Sequence, residues 1–282
     1  TSATATITAS SAGTCLISGS IAQDTNYNTA TTASSSTFTF SAAAALTPTF
    51  DTPVKTNGGF TVNISNYSAS YTWGATVSAG SVSQSSSALT VTGLSSGQSA
   101  TITVTTSRTG YNNGSATVSG SAKTNQTVTF TQPSGMTYGD ADQSLSASTD
   151  ATGLSVTLTS NDTSICTIVT GKAHIVTTGT CSITASQSGS SDYNAATSVT
   201  RTFTISAAAA LTPTFDTPVK TNGGFTVNIS NYSASYTWGA TVSAGSVSQS
   251  SSALTVTGLS SGQSATITVT TSRTGYNNGS AT

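Results

Sequence analysis

A long internal repeat limits how this chain can fold. The 77 residues from Ser41 to Thr117 return without a change from Ser206 to Thr282, a spacing of 165 residues. The likeness continues upstream in weaker form: "GTCLISGSIAQDTNYNTATTASSSTFTFS" at 13–41 resembles "GTCSITASQSGSSDYNAATSVTRTFTIS" at 179–206, with one residue of slippage. The chain therefore holds about 1.7 copies of a unit that is too long for a solenoid repeat or for one small domain.

Short runs of alternating apolar and polar residues fill this unit and indicate β-strands. Between 42 and 122 the runs are "GFTVNIS", "YTWGATV", "ALTVTGL", "SATITVTTS" and "ATVSGSA", separated by the turn-forming segments "TNGG", "SAGSVSQSSS", "SSGQ" and "GYNNGS". Between 123 and 206 they are "QTVTFTQ", "QSLSAS", "LSVTLTS", "CTIVT", "AHIVTT", "CSITASQS" and "VTRTFTIS". Strands at intervals of about 8–12 residues, in two halves of about 80 residues each, predict an all-β chain of β-sandwich domains.

A seam near Lys123 and the repeat spacing divide the chain into four parts. We expect the C-terminal part of a second-type domain at 1–41, a complete first-type domain at 42–122, a complete second-type domain at 123–206, and a truncated second copy of the first type at 207–282. Both types end alike, because a Tyr-Asn turn precedes the last strand at Tyr111 and Tyr193, and Tyr27 holds the same place. The two types are therefore variants of one architecture.

The motifs of the two halves are similar to known repeat modules. The second type, with "TYGDADQSLSAS", "GLSVTLTSNDTSICTI" and "GTCSITASQSGSSDYNAATSVTRTFTI", resembles the MBG-type Ig-like repeats of very long bacterial surface proteins. The first type, with "LTPTFDTP", "GFTVNISNY" and "ALTVTGLSSGQSATITVTTSRTGY", resembles fibronectin type III and related Ig-like modules that alternate with them. The resemblance implies tandem Ig-like β-sandwich domains in an extended array, as in the shaft of an adhesin or stalk, and it supplies no catalytic residue.

The composition excludes several classes of function. The chain has 7 basic and 8 acidic residues, and every acidic residue is an Asp. The basic residues are scattered, whereas binding to nucleic acid needs clustered Lys and Arg. No stretch approaches the roughly 20 apolar residues of a membrane span, so an export signal and an anchor are expected outside this segment. A chain so poor in charge and so rich in Ser and Thr is expected to lie outside the cell, at a cell surface.

Cys166 and Cys181 are predicted to form a structural disulfide. The runs "CTIVT" and "AHIVTT" form a natural hairpin, and the next turn brings "CSITAS" back beside residue 166. Such a bond restricts the unfolded chain by about 3 kcal/mol for a loop of ~15 residues. A metal or redox pair is the competing interpretation, although the chain has no CxxC motif and only one His.

Cys15 is left as an odd thiol, which is either reactive, or joins two molecules, or has lost its partner to the limits of the segment. Aligning Cys15 with Cys181 puts the counterpart of Cys166 one residue before Thr1. We therefore interpret Cys15 as half of a structural disulfide whose other half lies upstream of the segment.

The remaining candidate residues have weaker patterns. Trp73 and its copy Trp238 lie in "YTWGATV", where an aromatic platform for a sugar ring and a core Trp are both possible interpretations. His174 is expected to face solvent from its strand, since a zinc site needs three or four ligands. Asp140 and Asp142 resemble a fragment of a calcium loop, so interdomain calcium stays open as an alternative. We expect no cofactor, no bound metal and no catalytic residue.

These observations predict a non-enzymatic, structural role. Short seams such as "SAAAALTP" lack the length of a flexible linker, which favours a rod, stalk or fibre that projects an adhesive tip or builds an extracellular filament. The partners expected are neighbouring repeats of the same chain, further copies in a homotypic filament, and surface glycans. The alternative is an array of polysaccharide-binding Ig-like modules.

Overall fold

The computed structural model describes residues 6–21, 25–26, 30–31 and 36–282, so the predicted turn at Tyr27 lies outside the described residues. These residues are all-β and form no helix, which means that none of them lies in a helix able to cross a membrane. The chain divides into two compact units. One comprises Thr1–Gln126 with Ser188–Ala195, and the other comprises Thr127–Gln187 with Ala196–Thr282.

The segment predicted as the first-type domain forms a seven-stranded sandwich. Its strands are β5 Val54–Thr56, β6 Gly59–Asn63, β7 Thr72–Val77, β8 Ser81–Ser85, β9 Ala88–Thr92, β10 Ser99–Ser107 and β11 Gly114–Ser121. One sheet has the order β5-β6-β9-β8 and the other β11-β10-β7, all antiparallel. This is the A-B-E-D and C-F-G arrangement of an Ig constant-type domain. Apolar residues at alternate positions, such as Leu89 and Val91, fill the core between the sheets.

The second-type segment forms another sandwich with a different edge arrangement. Its strands are β12 Val128–Phe130, β13 Met136–Thr137, β14 Gln143–Ser144, β15 Ala147–Thr149, β16 Thr157–Ser160, β17 Cys166–Val169, β18 Lys172–Ile175, β19 Gly179–Ser186 and β20 Val199–Ser206. The sheets are β13-β20-β19-β16, β14-β18-β17 and the pair β12-β15. The short strand β13 runs parallel to the last strand β20.

The third sandwich repeats the first-type topology. Its strands are β21 Val219–Thr221, β22 Gly224–Asn228, β23 Thr237–Val242, β24 Ser246–Ser250, β25 Ala253–Thr257, β26 Ile267–Ser272 and β27 Gly279–Ala281. The sheets are β21-β22-β25-β24 and β23-β26-β27. Strand β27 covers three residues, whereas its copy β11 covers eight. Phe225 is only partly buried, whereas its copy Phe60 has no exposed surface.

The start of the chain contains the strands β1 Gly13–Ile17, β2 Ser20–Ile21, β3 Ala30–Thr31 and β4 Ser36–Phe40. In β1 and β4, Cys15 is paired with Phe38, just as Cys181 is paired with Phe203 in β19 and β20. The register of the two hairpins is the same, so the one-residue slippage in the sequence alignment falls in the segment between the paired strands.

Two details of the strand prediction were wrong. The segment "SAGSVSQSSS", predicted to be a turn, contains β8, an edge strand in which Val82 and Gln84 alternate with exposed Ser residues. The run "QSLSAS", predicted to be one strand, holds β14 and part of β15, which belong to different sheets. In both places local composition describes an edge strand poorly, because half of its residues face water.

Candidate functional site

A disulfide bond joins Cys166 and Cys181 in the core of the 123–206 sandwich. Their Cα atoms are 5.7 Å apart, and neither residue has exposed surface. The hairpin of β17 and β18 turns at Thr170 and Gly171, both of which have positive φ, and β19 then returns the chain beside β17. The bond connects β17 of one sheet to β19 of the other, and it is the pair that the sequence predicted.

Cys15 is partly buried on β1 and has no disulfide partner among the described residues. Its strand register equals that of Cys181, as the alignment of the two segments requires. A disulfide of Cys15 with a residue upstream of the segment stays a prediction.

Trp73 and Trp238 lie at the edges of the sandwich cores. The indole Nε1 of Trp73 donates a hydrogen bond to the carbonyl oxygen of Ser68 at 2.9 Å, and its ring stacks on Tyr67 with the ring centroids 5.3 Å apart. Trp238 repeats both contacts with Ser233 and Tyr232. One ring face and the only donor of each indole are therefore engaged within the domain, and glycan contact at these residues stays a prediction.

His174 faces solvent from β18, and its Nδ1 lies 2.8 Å from a carboxylate oxygen of Asp142. The carboxylate of Asp140 accepts a hydrogen bond from the backbone N–H of Thr137 at 2.7 Å, which closes the turn that follows β13. In the part of the chain that the structure describes, no three His, Cys, Asp or Glu side chains come together to hold a metal ion. Each of the two Asp residues has a local partner instead.

A parallel β-bridge joins each Tyr-Asn turn to a residue near the predicted start of the same domain. The pairs are Ala43 with Tyr111, Thr124 with Tyr193, and Ala208 with Tyr276. In each pair the residue near the domain start donates its N–H to the residue before the Tyr and accepts from the Asn after it, at 2.8–2.9 Å. We call these contacts the Tyr-Asn bridges. The Tyr-Asn turns are alike in sequence, and the bridges show that they also share a structural role.

The segment 122–126, which leaves the first sandwich, is hydrogen-bonded along its whole length. The bonds run from Ala122 N to Gln98 O, Lys123 N to Thr56 O, Gly97 N to Lys123 O, Asn125 N to Ser96 Oγ, and Gln126 Nε2 to Asn194 O, in addition to the Tyr-Asn bridge of Thr124. Their lengths are between 2.7 and 3.2 Å. This segment is therefore anchored backbone rather than a free linker.

An ion pair accompanies these bonds within the same unit. Lys55 Nζ lies 2.6 Å from a carboxylate oxygen of Asp192, on the loop 188–195. The hydrogen bond and the positive charge of Lys55, together with a hydrogen bond from Ser191, lower the pKa of Asp192 below its ordinary value. The copy of Lys55 is Lys220, which forms no ion pair within the described ranges.

Two identical groups of aromatic and Arg side chains surround the Tyr-Asn turns of the first-type domains. The first Tyr–Arg cluster consists of Tyr71, Arg108, Gly110 and Tyr111; the second consists of Tyr236, Arg273, Gly275 and Tyr276. Each guanidinium lies 4.6–5.4 Å from the centroids of two Tyr rings, which suits cation–π attraction. Sequence reasoning missed these clusters because their members come from separate strands and turns.

Comparison with known proteins leaves the chain without a family. No protein-family model and no curated protein sequence matches it. Solved structures with some likeness include the human desmocollin-1 ectodomain (12% identity, TM-score 0.35, 83% of this chain and 60% of that one) and protocadherin gamma B2 extracellular cadherin domains 3–6 (12%, 0.25, 88% and 78%). A third is Drosophila OTK extracellular domains 3–5 (9%, 0.23, 85% and 99%). At these scores we argue nothing from the likenesses, and the Ig-like fold rests on the strand order described above.

Proposed function

We propose that this chain belongs to the structural repeat region of a secreted bacterial surface protein, where Ig-like domains form a rod, stalk or fibre that holds an adhesive tip away from the cell. One observation carries the proposal: the segment 122–126 has no free length, because each of its residues is hydrogen-bonded to the body of its unit. A segment bound in this way resists bending more than a flexible linker of the same length does.

The division into domains at 1–41, 42–122, 123–206 and 207–282 is part of the proposal. Tyr-Asn bridges at Ala43, Thr124 and Ala208 support these boundaries, since each joins a residue near a predicted domain start to the turn before the last strand of that domain. The buried disulfide supports an extracellular location, because such bonds persist in oxidising compartments. The role is non-enzymatic, and the resemblance of the motifs to MBG-type and fibronectin type III modules is consistent with it.

Small-angle X-ray scattering on the full chain tests the rod. With two sandwich domains in tandem, each repeat should add on the order of 70–80 Å to the maximum dimension. As a matched control, the four residues Gly-Ser-Gly-Ser are inserted after Lys123. The insertion adds flexible backbone between the hydrogen bonds of 122–123 and those of the residues that follow. The unmodified chain should give a narrow distance distribution for an elongated particle, and the insertion should broaden it. A compact globule would contradict the rod.

Homotypic assembly into a filament is a second form of the same function. Strand β11 is eight residues long, lies at a sheet edge and carries neither charge nor Pro, which are the devices that usually keep edges apart. Electron microscopy of the purified chain separates isolated rods from lateral filaments. Substituting Thr117→Lys on this edge should disperse filaments if β11 forms the contact.

A further inference from the structure

The two Tyr–Arg clusters have the same sequence and almost the same geometry, but different surroundings. The centroids of Tyr71 and Tyr111 are 5.6 Å apart, and those of Tyr236 and Tyr276 are 5.7 Å apart. A methyl group placed on Gly275 would collide with the ring of Tyr138, whereas the same group on Gly110 would meet no atom of the described residues within 4 Å. One cluster thus has a third aromatic ring against it, whereas its copy has none from the described part of the chain.

Tyr138 reaches the second cluster from a tight turn. Thr137 O accepts from Asp140 N at 2.9 Å, Gly139 has φ +95°, and Tyr138 lies at the tip. Its ring packs on Gly275 and meets Tyr276 edge to face, with the centroids 6.0 Å apart. The backbone N–H of Tyr138 donates to Ser206 O at 2.8 Å, two residues before the Tyr-Asn bridge of Ala208. The turn therefore makes three contacts at once: with Gly275, with the ring of Tyr276 and with the last residue of β20.

The first cluster offers the same three features. Gly110 leaves room for a ring, Tyr111 presents its ring from the bridge to Ala43, and Arg108 covers the rings at 4.8 and 5.4 Å. Ser41, the counterpart of Ser206, directly follows β4, as Ser206 ends β20. Strands β4 and β1 pair in the same register as β20 and β19. The cluster is preformed, because its distances hardly differ from those of the copy that carries Tyr138.

We propose that the first Tyr–Arg cluster is a docking surface for the Tyr-Gly-Asp turn of a second-type domain placed directly before residue 42. The inference rests on the proposed array and adds the contacts between its domains. The Tyr ring of the turn packs on Gly110 and meets the ring of Tyr111 edge to face. Arg108 in turn lies against the ring of Tyr111. A glycine is needed at 110 because any side chain would occupy the place of the ring.

Proton NMR reads this contact directly, because a ring packed on a glycine shifts the Hα resonances of that glycine. In the 282-residue chain, Gly110 and Gly275 have identical sequence neighbours, so their Hα shifts differ only through their surroundings, and Tyr138→Leu isolates the part of the difference that is due to Tyr138. Tyr138→Leu should move the Gly275 resonances toward the Gly110 position. If Tyr138→Leu leaves Gly275 unchanged, the contact on which the proposal is built is wrong.

The deciding experiment supplies the turn to the first cluster. The full chain is lengthened by a copy of residues 123–166 placed before Thr1, which completes a second-type domain and gives Cys15 a partner. In a second chain, residues 123–206 replace residues 1–41, so that a complete second-type domain precedes residue 42. This chain gives the reference value of the Gly110 Hα shift in the docked state. The Gly110 Hα resonances of the lengthened chain should coincide with those of this reference.

Matched variants separate docking from other effects. Changing the added Tyr of the lengthened chain to Leu should return Gly110 to its position in the 282-residue chain while Gly275 stays in place. A lengthened chain whose Gly110 never moves would overturn the docking proposal. That result would not contradict the rod proposal, because scattering tests the rod independently. Conversely, a flexible particle in scattering together with a shifted Gly110 resonance would contradict the rod and support the docking contact.

Discussion

At the scale of single residues, the disulfide is the strongest constraint on the unfolded chain. Breaking it by Cys166→Ala with Cys181→Ala should lower the free energy of unfolding of the 123–206 sandwich by about 3 kcal/mol, the value for a loop of ~15 residues. Denaturant unfolding followed by circular dichroism measures the change. Cys15→Ala is the matched control and should alter the transition much less. A loss of equal size from both would show that the bond contributes nothing specific.

The fluorescence of Trp73 tests whether its indole ring is packed at the edge of the core. In a Trp238→Phe background, Trp73 is the only fluorophore of its kind, so its emission reports the first sandwich alone. Tyr67→Leu should shift this emission to longer wavelength and cost about 1 kcal/mol, because it removes the stacked partner. Tyr232→Leu, the same change in the other copy, should leave the emission unchanged. An unaffected emission in Tyr67→Leu would place the indole in solvent and revive a platform for sugars.

At the scale of elements, the Lys55–Asp192 pair holds the loop 188–195 beside the anchored segment. Lys55→Met should speed hydrogen exchange of the backbone amide of Asn194, which donates to Thr124, because the loop loses its charged attachment. Lys220→Met changes the copy that has no ion pair in the described structure, and it should leave Asn194 as it was. NMR exchange rates of this amide measure the effect. Equal rates in both variants would mean that backbone bonds alone hold the loop.

The same loop should loosen in acid. Lys55 lowers the pKa of Asp192 in the folded chain, so the carboxylate contributes stability at every pH above the ordinary Asp value of about 3.9. This contribution is lost as the pH falls through the lowered pKa, where the carboxyl takes up a proton. Exchange of the Asn194 amide, corrected for the intrinsic pH dependence, should therefore stay constant from pH 7 down to about 4 and rise as the pH falls below the ordinary Asp pKa. Lys55→Met should abolish the rise.

Sequence patterns predicted elements well where strands are two-sided. The run "SATITVTTS" coincides with β10, because Ile102 and Val104 face the core while Thr103 faces out. The contacts that form the joints escaped prediction, because Lys55 and Asp192, or Tyr138 and Gly275, are far apart in the chain and carry no local pattern. The Tyr-Asn turns were visible as a shared motif, but their bridges to Ala43, Thr124 and Ala208 depend on the fold.

At the scale of the whole molecule, the two copies of the repeated 77-residue sequence are expected to differ in stability within this 282-residue chain. A groove of about 920 Å³ lies beside Phe225, bordered by Val227 and Thr282, where Val118–Ala122 would follow in the repeat. Adding Val-Ser-Gly-Ser-Ala after Thr282 should bury Phe225 and stabilise the third sandwich by about 1–3 kcal/mol. Single-Trp variants report each copy separately: Trp73→Phe leaves the third sandwich visible, and Trp238→Phe leaves the first. The two unfolding midpoints should converge after the addition, and unchanged midpoints would contradict the prediction.

The parallel pairing of β13 with β20, described above as an edge arrangement, has a mechanical meaning. A pull on the two ends of the 123–206 domain draws these neighbouring strands in opposite directions along their length. Their hydrogen bonds are then sheared together and cannot be opened one after another like a zipper. Rupture under load depends on the rate at which this barrier is crossed rather than on the free energy of folding. If the chain forms the proposed rod, its resistance to a pull is therefore set by this barrier and can be high even where the free energy of folding is small.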